Sequence, residues 1–132
     1  MKERQNEIAT VIEFYNFTGV CNLSLTPAQL EMISREKLIA LIGRIMHEIK
    51  PHVIYLPYRG DIHSDHGVVL DAVAACTKWF RYPTIRRVLC YETLSETDFG
   101  INPETLKFTP NTYVNITNFI DQKIKIAEIY KS

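Results

Sequence analysis

The chain has 132 residues, room for one hydrophobic core and not two. Hydrophobic residues make up 46%, and Lys+Arg balance Asp+Glu at 15 each; zero net charge argues against nucleic acid or an anionic membrane surface as partner, since both demand a basic face. No apolar run approaches the ~20 residues of a bilayer span, "MKERQNE" lacks the apolar core of an export signal, and Cys21, Cys76 and Cys90 show no C-x-x-C spacing, so they read as reduced, mostly buried thiols of a cytoplasmic protein.

Apolar residues at Ile8, Val11, Ile12 and Tyr15 predict an amphipathic helix over residues 2–17, with Gly19 as its stop. "VCNLSL" (20–25) reads as a short strand. Thr26 and Pro27 then look like the N-cap and first residue of a helix running to about Lys50. Its stripe is Leu30, Ile33, Leu38, Leu41, Ile42, Ile45 and Ile49, and Pro51 ends it. "HVIYLPY" (52–58) has the β-branched and aromatic content of a buried strand. After the turn "DIHSDHG" (61–67), residues 67–80 read as a helix with Val69, Val73, Cys76 and Phe80 on one side.

"RYPTIRR", with Arg81, Arg86 and Arg87, is the densest basic run and reads as a solvated helix end before the next strand, 85–92. Residues 95–111 form a long loop, 112–116 a short strand, and 118–132 a closing helix with Ile120, Ile124 and Ala127 along one face. Alternating helices and strands predict an α/β fold, a parallel sheet with helices on both faces. Only three or four strands are legible, and the first helix begins at residue 2 with no strand before it. The expectation is a single partial domain over residues 1–132, its N-terminal strands missing, that needs a homo-oligomer or a complementing N-terminal chain to cover its open edges.

In parallel sheets, functional groups gather beyond the carboxyl ends of the strands, which is where "DIHSDHG" falls. Two histidines and two aspartates within six residues admit three readings. His63 and His66 are candidates for a metal ligand, since neutral imidazole is the commonest one. Asp65 is a candidate to accept a histidine's second ring N–H and fix its tautomer, giving a group that steadies an oxyanion or protonates a leaving amine. The third reading is a polar capping turn, with Ser64 or Asp65 at the start of the next helix. His47, late in a helix, and His52, opening a strand, have structural readings.

The segment "IKPHVIYLPYRGDIHSDHGVVLDAVAACTKWF" resembles the second half of the PIG-L/LmbE-like N-acetylglucosaminyl deacetylases, where a strand and loop lead into H-x-D-H and a helix rich in Val and Ala. "KERQNE" resembles the R-x-x-E that opens the family's middle helix, and "RRVLCYE" the strand after the H-x-D-H helix. "FTPNTYVNITNFIDQKIKIAEIYKS" is similar to tails of bacterial members linked to surface polysaccharide, so the resemblance extends over nearly the whole chain. It implies a Rossmann-like fold and a zinc-dependent hydrolase that removes acetyl groups from N-acetylated amino sugars. By that resemblance His66 is a zinc ligand, His63 stabilises the oxyanion or acts as acid, Asp65 orients and charges His63, and Arg4 reaches the substrate.

Ser64 stands where the family often has Pro, and either suits a turn. The larger departure is that the family opens with a strand ending in A-H-P-D-D-E, which supplies a zinc-binding His, a zinc-binding Asp and a general-base Asp. No such sequence occurs in this chain. The expectation is a deacetylase-type hydrolase carrying the H-x-D-H half of its site and inactive as an isolated chain. The alternative is a non-catalytic remnant acting as a sugar-binding or protein-interaction module. An unrelated phosphate-binding α/β protein is disfavoured, because no glycine-rich strand-to-helix turn is present.

Overall fold

A computed structural model describes residues 2–100 and 107–131. In chain order the elements are α1 (Lys2–Tyr15), a 3-10 turn (Leu30–Met32), α2 (Arg35–Ile49), β1 (Val53–Pro57), α3 (Ser64–Ala75), β2 (Arg87–Tyr91), α4 (Leu94–Thr97), a second 3-10 turn (Thr117–Phe119) and α5 (Ile120–Ala127). Leu23–Thr109 form one compact unit, and the described residues of Met1–Asn22 and Pro110–Ser132 form another. Among the described residues no helix is long and apolar enough to cross a membrane.

The larger unit is built on a β–α–β step. Parallel strands cannot be joined by a tight hairpin; here α3 is the crossover between β1 and β2, which pair in parallel with Ile54 opposite Val88 and Leu56 opposite Cys90. Period-two alternation turns Ile54 and Leu56 inward. They meet Leu38, Ile42 and Met46, which recur every fourth residue of α2, and Ala72, Val73 and Cys76 of α3. Gly43 lets α2 come close to this cluster: a Cβ there would lie 3.0 Å from the Tyr82 hydroxyl and 3.9 Å from Cys76 Sγ. On the opposite side of β1, Val53 and Tyr55 are exposed. This is an incomplete α/β, Rossmann-like arrangement, with a parallel sheet of two strands among the described residues.

The helix expected from Pro27 to Lys50 is divided. Ala28 has φ of 56°, a 3-10 turn follows, and α2 starts afresh at Ser34, whose Oγ accepts the Lys37 N–H at 3.3 Å. Lys50, at φ 51°, closes it in the left-handed conformation and donates its N–H to the Met46 carbonyl. The stripe shifts accordingly: Met46 is buried and Ile49 is 57% exposed. The helix expected at 67–80 begins at Ser64 and ends at Ala75, so Val73 and Cys76 are buried while Phe80 is exposed.

Neither residues 20–25 nor 112–116 form a strand. Ser24 sits at φ 51°. Around the second segment, side chains bond locally in competition with any ladder: Asn115 Oδ1 accepts both the N–H and the hydroxyl of Thr117, at 3.0 and 2.7 Å. In the smaller unit, α1 stops at Asn16 (φ 51°), three residues before Gly19. The inward residues are Glu7 and Val11 of α1 and Ile126 of α5. Ile8, Ile120 and Ile124 of the expected stripes are exposed. The Glu7 carboxylate explains the choice of face, since its Oε1 accepts the Lys131 N–H at 2.8 Å.

Candidate functional site

The chain leaves β1 through a turn closed by the Asp61 N–H on the Tyr58 carbonyl at 3.3 Å, and the Ile62 N–H donates to the Glu96 carbonyl at 3.1 Å. α3 begins three residues earlier than expected because a histidine does the capping. His63 takes extended backbone angles (φ −75°, ψ 117°), and its Nδ1 accepts the Asp65 N–H at 3.2 Å. Asp65 and His66 therefore lie in the first turn of the helix, where a carboxylate also suits the positive end of the helix dipole.

The Asp65 carboxylate reaches back 37 residues along the chain: Oδ2 accepts the Ala28 N–H at 2.6 Å and Oδ1 the Leu30 N–H at 3.1 Å. In a continuous helix capped at Thr26 the Ala28 N–H would be left unpaired at the first turn and the Leu30 N–H would bond the Thr26 carbonyl. Asp65 takes them instead, and the segment folds as a tight turn around the carboxylate.

Asp61 has a fully buried side chain. Its Oδ2 lies 2.7 Å from His66 Nδ1, and its Oδ1 accepts the Thr97 hydroxyl at 2.7 Å. The Thr97 oxygen itself accepts the Thr93 N–H at 2.9 Å. The loop after β2 is thereby fastened to the turn, and Gly100 rests so close to Gly60 that a Cβ at residue 100 would collide with the Gly60 carbonyl oxygen. Cys76 is buried, but Cys21 and Cys90 are exposed, against the expectation of mostly buried thiols. At the end of β2, partial loss of hydration first and the Asp61 charge second push the Cys90 thiol and the Tyr91 phenol above their ordinary values, although both side chains still reach solvent.

These contacts give the two imidazoles different surfaces. A carboxylate only accepts, so His66 Nδ1 carries the proton and Nε2 keeps its lone pair. His63 Nδ1 is an acceptor, so its proton is on Nε2. The rings stack with centroids 5.0 Å apart and planes 12° from parallel. The turn therefore sets side by side an N–H donor and a nitrogen with the chemistry of a metal ligand.

His63, Asp65 and His66 come together at the carboxyl end of β1. The carboxylate that meets a ring nitrogen is Asp61, against His66, while Asp65 reaches His63 through its main-chain N–H. Arg4 belongs to the smaller unit, where its guanidinium lies 4.7 Å over the Tyr130 ring and 3.9 Å from Glu7 Oε2. Sequence reasoning quoted Asp61 without giving it a role and missed Thr93, Thr97 and Gly100. For Asp61 the signal was a carboxylate five residues before a histidine at a helix start. Thr97 carries no local signal, being 36 residues from its partner.

A hydrolytic zinc needs about three protein ligands. Among the described residues no group of three or more His, Cys, Asp or Glu side chains comes together to hold a metal. His66 has the chemistry of one ligand, and the described residues do not make a zinc centre by themselves.

The fold and the turn define the class: an α/β protein whose polar cluster sits where a parallel strand gives way to a helix. The model of the PIG-L family, GlcNAc-PI de-N-acetylase, matches residues 1–77, and the chain belongs to this family. The match takes in α1 through α3 and the whole histidine turn; the resemblance read in "RRVLCYE" and the tail lies outside it. Searches of curated proteins and of solved structures find no match.

Proposed function

We propose that this chain serves the de-N-acetylation of an N-acetylated amino sugar or glycoconjugate and supplies the H-x-D-H half of a zinc-dependent site. The observation that carries this reading is the 2.7 Å contact between Asp61 Oδ2 and His66 Nδ1, which leaves His66 Nε2 as a ligand. Zinc, where bound, supplies Lewis acidity and an activated water; its remaining ligands and the general base come from a complementing chain or segment. In this assignment the His63 Nε2–H donates to the oxygen on which charge develops as the acetyl carbonyl is attacked. Asp65 is a positioning residue: its N–H orients the His63 ring and its carboxylate anchors the turn at Ala28 and Leu30. Arg4 is assigned to substrate contact on the family pattern.

The lack of a three-ligand group among the described residues supports a second reading, a non-catalytic sugar-binding or interaction module. One experiment separates the two. The purified 132-residue chain is titrated with zinc and assayed on an N-acetylglucosaminide, alone and with a polypeptide carrying the A-H-P-D-D-E segment. The chain alone is expected to neither bind zinc stoichiometrically nor release acetate. The complemented form does both, and His66→Ala abolishes its activity. Activity of the chain alone overturns the half-site assignment, and inactivity of the complemented form favours the module.

A further inference from the structure

We infer that Asp61 is a positioning residue, held in orientation by Thr97, that fixes His66 in the one tautomer able to serve as a ligand through Nε2. The inference rests on the assignment of His66 made above and adds a residue that assignment does not contain.

The argument is one of hydrogen-bond direction. The Thr97 oxygen accepts the Thr93 N–H at 2.9 Å, so its own hydrogen is free to point at Asp61 Oδ1, 2.7 Å away. That leaves Oδ2 to face His66 Nδ1 at 2.7 Å. The side chain of Asp61 is fully buried, and water does not compete for either oxygen. A ring nitrogen facing a carboxylate must be the protonated one, and the lone pair is left on Nε2. The relay runs from the main chain of residue 93 through one hydroxyl and one carboxylate to the imidazole, with every donor and acceptor matched.

The same logic makes an isosteric variant informative. In Asp61→Asn the amide has one acceptor and one donor face. Thr97 still presents a hydrogen, so the amide oxygen stays on that side and the NH2 turns toward His66 Nδ1. Two donors cannot face each other, so Nδ1 becomes the acceptor and the ring proton moves to Nε2, removing the ligand lone pair. Adding Thr97→Val frees the amide to flip, and part of the population returns to the first tautomer.

The test is a long-range 1H–15N correlation spectrum of the ring nitrogens in the uniformly labelled chain, recorded at a pH where the spectrum itself shows one proton on each ring. The expected result is a protonated Nδ1 on His66 in the unsubstituted chain, a protonated Nε2 in Asp61→Asn, and a mixture in the double variant. A proton on His66 Nε2 in the unsubstituted chain overturns the inference even where Asp61→Asn does not fold. So does an unchanged tautomer in an Asp61→Asn chain whose amide spectrum is otherwise preserved. The measurement is independent of catalysis: the expected tautomer without de-N-acetylation defeats the functional reading alone, and an active complemented enzyme with the opposite tautomer defeats this inference alone.

Discussion

The Asp65 carboxylate accepts the backbone N–H of Ala28 at 2.6 Å, across 37 residues of chain. With the Leu30 N–H on its other oxygen at 3.1 Å, the carboxylate anchors the segment before α2. Removing it strands two main-chain donors, one of them on a buried residue. Asp65→Ala is expected to lower stability by roughly 3–6 kcal/mol, since the two bonds to a charged acceptor contribute about 1.5–3 kcal/mol each. Asp65→Asn retains one acceptor and loses about half as much. Urea unfolding measures the loss, and faster hydrogen exchange at the Ala28 and Leu30 amides locates it.

His63 has two separable jobs in this reading, and two substitutions divide them. His63→Ala removes the cap of α3 and is expected to cost about 0.5–2 kcal/mol. His63→Asn restores a capping acceptor for the Asp65 N–H without a ring N–H. Its stability therefore stays near that of the unsubstituted chain, while de-N-acetylation by the complemented form is lost. Thermal melts followed by circular dichroism and the acetate-release assay read the two effects independently.

Glycines 100 and 19 provide a matched contrast. Gly100→Ala drives a methyl group into the Gly60 carbonyl oxygen, and main chain cannot step aside as a flexible side chain would. The expected cost is about 1–3 kcal/mol, with shifted His66 ring resonances because Gly60 adjoins Asp61. Gly19→Ala meets nothing within 4 Å and is expected to leave stability unchanged or raise it by about 0.4–1 kcal/mol through the unfolded chain. Equal effects at the two positions would show that the Gly60–Gly100 approach is not a constraint.

Alkaline pH is expected to weaken the fold. Burial raises the Cys76 thiol above its ordinary 9.0. Its contribution is fully present below about pH 9 and is lost as pH climbs through the raised value, because the unfolded chain gives up this proton first. The urea midpoint should be flat with respect to this group at neutral pH and fall from about pH 9 upward. Cys76→Ala should blunt that fall, and Cys90→Ser, at an exposed position, should leave it nearly unchanged. A midpoint that rises over this range would contradict the assignment.

The sequence made β1 and the crossover helix legible because Ile54, Leu56, Ala72 and Val73 lie on faces that pack into the core, while β2 was legible from its short apolar run alone, since all but Leu89 of it is exposed. Leu38 and Ile42 of α2 were legible for the same reason as β1. The start of α2 was misplaced because Thr26-Pro27 is a sound local signal for a helix start, and only a carboxylate 37 residues away at Asp65 diverts those N–H groups. Stripes on α1 and α5 were misjudged because buried Glu7, a charged residue, marks the inward face. Of the site, the two histidines were visible as a spacing. Their division into donor and ligand was not, because tautomers are set by partners: Asp61 for one ring, a main-chain N–H for the other.

The histidine turn stands nearly midway between its two tethers, 37 residues after Ala28 and 36 before Thr97 counted from Asp65 and Asp61. Neither tether can form until the chain on its own side has arrived, so the imidazoles acquire their orientation only when both flanks are in place. The ring spectrum of His63 and His66 thus works as a gauge of the whole larger unit. A slip at the Ala28–Leu30 turn or at Thr97 is expected to register at the histidines, although both lie more than thirty residues away along the chain.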